Sequence, residues 1–113
     1  MEIRYLTLDC TDAERLAGFW AAALGYERGA DFGQYRTLLD PQKKRPWLVL
    51  QPVPEPKTSK NRLHLDLQGE SMEAEVARLE ELGARRVRLV EEGGSRWTLM
   101  QDPEGNEFCV LSP

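Results

Sequence analysis

The chain has 113 residues, 41% hydrophobic and 30% charged, a composition that suits one globular domain with a single core and excludes a disordered chain. Fifteen Lys and Arg against nineteen Asp and Glu leave a formal charge of −4; the basic residues are dispersed apart from Lys43-Lys44-Arg45, which argues against a nucleic-acid partner. No apolar run approaches the roughly 20 residues of a membrane span, and MEIRYLTL enters a strand pattern at once without a signal-peptide layout, so a cytoplasmic protein that avoids membranes is expected.

Taken in order, residues 3–9 alternate as a strand. Thr11 followed by Glu14 has the spacing of a capping box, and Leu16, Phe19, Trp20 and Ala23 then recur as one apolar helical stripe that ends at Gly25. Short strands are predicted over 26–28, 34–39 and 47–51, with turns at Gly29, Gly33 and Asp40-Pro41. The stretch PVPEPKTSK, with prolines at alternate positions, reads as an extended connector and hinge. A second strand-helix pair follows: NRLHLDL over 61–67, then a helix capped by Ser71, with Met72, Val76, Leu79 and Leu82 on one face and a stop at Gly83. Strands over 86–90, 96–101 and 107–111 complete the chain, with turns at Gly93-Gly94 and 102–106. Glu91-Glu92-Gly93-Gly94 reads as a mobile loop.

The two halves repeat. YLTLDCTDAERLAGFWAAALG lies over HLDLQGESMEAEVARLEELG with one residue of length difference, strand to helix to Leu-Gly. Each half is βαβββ, which predicts an α+β fold: module 1 over about 1–52, the connector over 53–60 and module 2 over about 61–113 of one domain. Period-two alternation places Leu6 and Leu8, and Leu63, Leu65 and Leu67, beneath the helices. The opposite face then collects Tyr5, Thr7, Gln51, His64, Asp66, Glu107 and Cys109, together with Trp47, Val49 and Leu111. Such a face is either wet, as one side of an antiparallel sheet often is, or the wall of a ligand cup.

The segments LTLDCTDAERLAGFWAAALGY, NRLHLDL and DPEGNEFCVLSP, with the D-P-x-G-N turn the most specific, resemble the vicinal oxygen chelate superfamily (the glyoxalase, bleomycin-resistance and dioxygenase fold), and within it the small glyoxalase-like proteins. The resemblance spans essentially the whole chain. It implies two modules forming a cupped, barrel-like mixed sheet with helices on the outer face, and a homodimer. Metal-dependent members place ligands at positions that fall here on Tyr5, near Gln51, on His64 and on Cys109; His64 alone is a matching ligand, so a divalent metal is implied by the fold and largely unsupported by the residues. Cys10 and Cys109 have neither paired metal spacing nor a disulfide framework, and neither a GxGxxG fingerprint nor a GxxxxGK phosphate loop occurs.

Two functions follow for the polar face. In the first, His64 and Glu107 move a proton beside a carbonyl of a small oxygenated metabolite, as an isomerase or lyase would, while Tyr5 or Arg62 meets the developing oxyanion. Asp66 is two residues from His64 on one strand, about 6.6 Å along it, and is expected to be too far to pair with it. In the second, the face sequesters a small molecule without turnover, in the manner of bleomycin resistance, between Tyr5, Trp47 and Trp97, with His64 and Glu107 setting its orientation; on either reading Tyr5, Trp47, Gln51, Arg62, Asp66 and Cys109 are the expected ligand-binding residues. Trp20 belongs to the core.

Overall fold

The computed structural model describes residues 1–113. The chain divides into two compact units, 1–56 and 57–113, with the same topology. The first runs β1 (Tyr5–Cys10), α1 (Ala13–Leu24), β2 (Glu27–Arg28), β3 (Arg36–Leu39) and β4 (Trp47–Pro52). The second runs β5 (Leu65–Gln68), α2 (Met72–Leu82), β6 (Arg85–Glu92), β7 (Ser95–Gln101) and β8 (Glu107–Leu111). The strand orders are β1-β4-β3-β2 and β5-β8-β7-β6, with β1–β4 and β5–β8 parallel and the other pairs antiparallel. The fold is thus α+β with two βαβββ modules. The strands make two four-stranded mixed sheets, each keeping two edges, and do not close into the barrel-like sheet expected.

In the first unit, Leu48 and Leu50 stand beside Leu6 and Leu8 by register, and α1 packs over β3 and β4 through Leu16, Ala17, Phe19 and Trp20. Phe19 and Trp20 meet edge to face at 5.2 Å, the arrangement that ring quadrupoles favour. The helix is capped one residue later than its spacing suggested. Asp12 accepts from the Arg15 N–H, while Glu14 leaves the cap to bind Arg28 and Arg36 at 3.1 and 2.9 Å. Two cations attract this carboxylate more strongly than one backbone donor does.

In the second unit, Val76 and Leu79 of α2 pack with Met100, Phe108 and Val110, and Ser71 caps the helix by accepting from the Ala74 N–H. The segment over 61–64 lies outside the strand, which begins only at Leu65. Leu63 is therefore 74% exposed and not beneath the helix as its alternation predicted. Residues 91–94 belong to a tight β6–β7 hairpin where a loop was expected. Glu92 pairs with Ser95, and Gly93 and Gly94 supply the two successive positive φ angles that a two-residue turn of this hand requires. No helix is long and apolar enough to cross a membrane.

One device recurs before the last strand of each unit. Asp40 is buried and accepts from the backbone N–H groups of Gln42, Lys44 and Arg45 at 3.0 to 3.1 Å. Asp102, equally buried, accepts from Glu104 N–H, Asn106 N–H and the Asn106 side-chain amide at 2.8 to 3.0 Å. Each Asp-Pro turn thereby satisfies a buried carboxylate and fixes where its following strand, β4 or β8, begins.

Candidate functional site

The face of the second sheet turned away from α2 is ordered in rows by strand register. Asp66 pairs with Cys109, Cys109 with Leu99, and Leu99 with Arg88, which forms one row across all four strands. The next row is Gln68, Leu111, Trp97 and Val90. A cleft of about 550 Å³ opens here, with Trp97, Leu99, Val90 and Leu111 as its apolar wall. His64, Asp66 and Cys109 form a polar corner of that cleft, which Lys60 also lines.

In that corner His64 Nε2 lies 3.2 Å from Asp66 Oδ1. Donor atoms of His64, Asp66 and Cys109 all lie within 4.8 Å of one another. The imidazole and carboxylate are open to solvent, 39% and 53% exposed, whereas Cys109 is 5% exposed. Burial pushes the Cys109 thiol up to about 11, helped by the charge of Asp66 and a hydrogen bond to it and partly offset by the Lys60 ammonium. At neutral pH the group is a protonated thiol that donates to Asp66 and is no nucleophile.

The pairing of Asp66 with His64 overturns the expectation that the two stand too far apart. That expectation assumed both lie on a regular strand, but β5 starts at Leu65 and the bend before it brings the imidazole back over Asp66. Glu107 stands elsewhere in its bonding. Its Oε1 receives Lys57 Nζ at 2.8 Å and its Oε2 the Asn61 N–H at 3.1 Å, and its side chain is only 10% exposed. Burial alone would raise its pKa, yet these donors hold the carboxyl below the ordinary carboxylate value.

Tyr5, Trp47 and Gln51 belong to the first unit. Tyr5 and Trp47 make an exposed edge-to-face pair at 5.9 Å, with the Arg4 guanidinium 5.8 Å from the Tyr5 ring centre. Gln51 offers its backbone oxygen to the Cys10 thiol. Arg62 is exposed in the bend before β5 and does not line the cleft. Among the cleft residues missed from the sequence are Lys60 and Arg88. Lys60 ends the connector, where no periodicity operates. Alternation along 86–90 would place Arg86 and Arg88 on one face, but a bulge at Val87 separates them.

The positions implied for metal ligands hold a phenol, an amide, an imidazole and a thiol, and this set does not fit the family's metal site. The donors that do converge are His64, Asp66 and Cys109. They would suit a borderline ion such as Zn²⁺, which would polarise a ligand oxygen there, and seating it requires the Cys109 proton to leave.

No curated protein matches the sequence. Among solved structures, a glyoxalase/bleomycin resistance protein/dioxygenase family enzyme from Burkholderia phytofirmans superposes with a TM-score of 0.79 at 15% identity, over 98% of each chain. A superfamily member from Sphaerobacter thermophilus gives 0.76 at 19%, over 100% of this chain and 98% of that one. The fosfomycin resistance protein FosX from Listeria monocytogenes gives 0.79 at 14%, over 100% and 93%. At such identities the likeness is one of fold. A family model for the glyoxalase-like domain matches residues 5–111, nearly the whole chain, and with the doubled βαβββ topology it establishes that this protein belongs to the glyoxalase-like domain family.

Proposed function

We propose that this glyoxalase-like protein binds a small oxygenated metabolite in the cleft of its second unit and moves a proton on it with His64, as an isomerase or lyase. The observation that supports this reading is the 3.2 Å contact between His64 Nε2 and Asp66 Oδ1 beside the cleft. With Nε2–H donating to Asp66, Nδ1 keeps the lone pair and can accept a proton; the carboxylate then stabilises the imidazolium that results. Lys60, which acts on the same corner, meets negative charge developing on the substrate oxygen, a role the sequence suggested for Tyr5 or Arg62. Glu107, with both oxygens occupied, holds the segment 57–61 and leaves proton transfer to His64.

Sequestration without turnover is the second reading, favoured by the apolar wall of Trp97, Leu99, Val90 and Leu111. Incubating the protein with a library of small carbonyl compounds and following solvent deuterium into them by mass spectrometry separates the two. Exchange that falls about 10²- to 10⁴-fold in His64→Gln, with ligand-induced thermal shift retained, is the expected result. Compounds that raise the melting temperature and come back without deuterium would leave sequestration standing. A cytoplasmic homodimer completes the proposal: both cysteines are buried thiols outside any disulfide, as a reducing compartment keeps them, and Tyr5 and Trp47 expose apolar surface that a second copy can cover.

A further inference from the structure

We infer that the ligand of this cleft is an organic oxyanion with an apolar body, and that Arg88 takes its charge. The inference rests on the cleft assigned above and adds the ligand's charge and length to it. Arg88 shares its row with Leu99, Cys109 and Asp66. Neighbouring strands stand about 4.8 Å apart, so the Arg88 backbone is about 10 Å from that of Cys109, two strands away. A ligand anchored at His64 can engage Arg88 only through a body several atoms long, and the row beside it supplies Leu111, Trp97 and Val90 for that body to lie against.

No acid that lines the cleft is paired with Arg88. Asp66 serves His64 and Cys109, with Lys60 next to that corner. Arg96 is held by Glu91 at 3.3 Å. Arg88 enters no ion pair. Glu92, the other acid lining the cleft, is four residues along the same strand, about 13 Å by backbone. A guanidinium is weakly hydrated and planar, and its fork matches the two oxygens of a carboxylate, phosphonate or sulfonate.

The position of Arg88 is itself a built feature. Arg86 pairs with Met100 and points toward α2, where Glu80 and Glu73 receive it at 3.2 and 4.0 Å. Val87 is the extra residue of the bulge, and beyond it Arg88 pairs with Leu99 and faces the cleft. In an unbroken strand both arginines would share a face. One inserted residue divides them between helix and cleft.

Two dyes with the same aromatic body test the inference: 1-anilinonaphthalene-8-sulfonate, an anion, and neutral N-phenyl-1-naphthylamine, titrated by fluorescence. The anion should bind the wild type about tenfold more tightly than the neutral dye, and Arg88→Gln should remove most of that difference while leaving neutral-dye affinity unchanged. Trp97→Ala should weaken both dyes, which places them in the cleft, and Lys44→Gln, which removes a cation from the first unit, should weaken neither. Equal affinities for the two dyes overturn the inference, and so does an Arg88→Gln variant that keeps the anion preference. Neither dye is turned over, so the result stands whether or not His64 moves a proton.

Discussion

Cys109 shows how far one side chain's chemistry depends on its neighbours. By residue type it is a candidate ligand or nucleophile, but burial first and Asp66 second keep its proton on, with the thiol pushed up to about 11. Alkylation of Cys109 by iodoacetamide, read by peptide mass spectrometry, should therefore be slow at pH 8 and climb with a midpoint near 11. Asp66→Asn removes the charge that disfavours the thiolate, so its midpoint should fall and its rate at pH 8 rise severalfold. A wild-type midpoint near that of an exposed thiol would contradict this account of the corner. The same carboxylate orients His64, so one residue sets the properties of both neighbours.

At the scale of elements, the segment entering β5 is held in place by Glu107 at the start of β8, through Lys57 and the Asn61 N–H. The bend over 61–64 sets where His64 sits, so this strap positions the site without touching a ligand. Because the carboxyl's folded-state pKa lies below its ordinary value of 4.5, the stability it contributes is complete above that value and is lost as pH falls through the folded one. Urea unfolding should show Glu107→Gln less stable than wild type by about 1–3 kcal/mol at pH 7, with the gap closing below pH 4.5. A gap that stays constant down to pH 3 would mean that the ion pair is not what the substitution removed. The Asp40 carboxyl is likewise depressed, foremost by the Gln42 N–H and against its own desolvation, and its contribution is lost as pH falls through its own folded-state value.

Across the whole molecule, one topology appears twice with two different surfaces. Thr7 and Val49 occupy in the first unit the register positions that Asp66 and Cys109 occupy in the second, and Tyr5 stands in β1 where His64 stands in the bend before β5. The ionisable corner is thus unique to the second unit, and the first offers aromatic surface instead, with Tyr5 and Trp47 exposed. Each sheet also keeps edge strands with open backbone groups. A second copy covering such surface is expected, and sedimentation velocity at micromolar concentration should give the mass of two 12.9 kDa chains. A single-chain mass at every concentration tested would remove the dimer.

Much of this was legible in the residues. The doubled βαβββ order followed from two strand-helix segments that align from end to end. The core helix faces followed from their 3.6-residue spacing, and the last strand from its D-P-x-G-N turn, because those signals are local and repeat at fixed intervals. Asp66 and Cys109 could be placed on one face by alternation alone, with His64 expected beside them. Their bonding could not: the His64–Asp66 contact arises where a strand stops being regular, Glu107 is claimed by a lysine 50 positions away, and the bulge at Val87 sends Arg88 to the cleft. Periodicity describes a strand only while its register holds. Bends, bulges and long-range ion pairs are settled by packing between segments, so sequence determined the frame of this protein and tertiary structure decided which side chains meet.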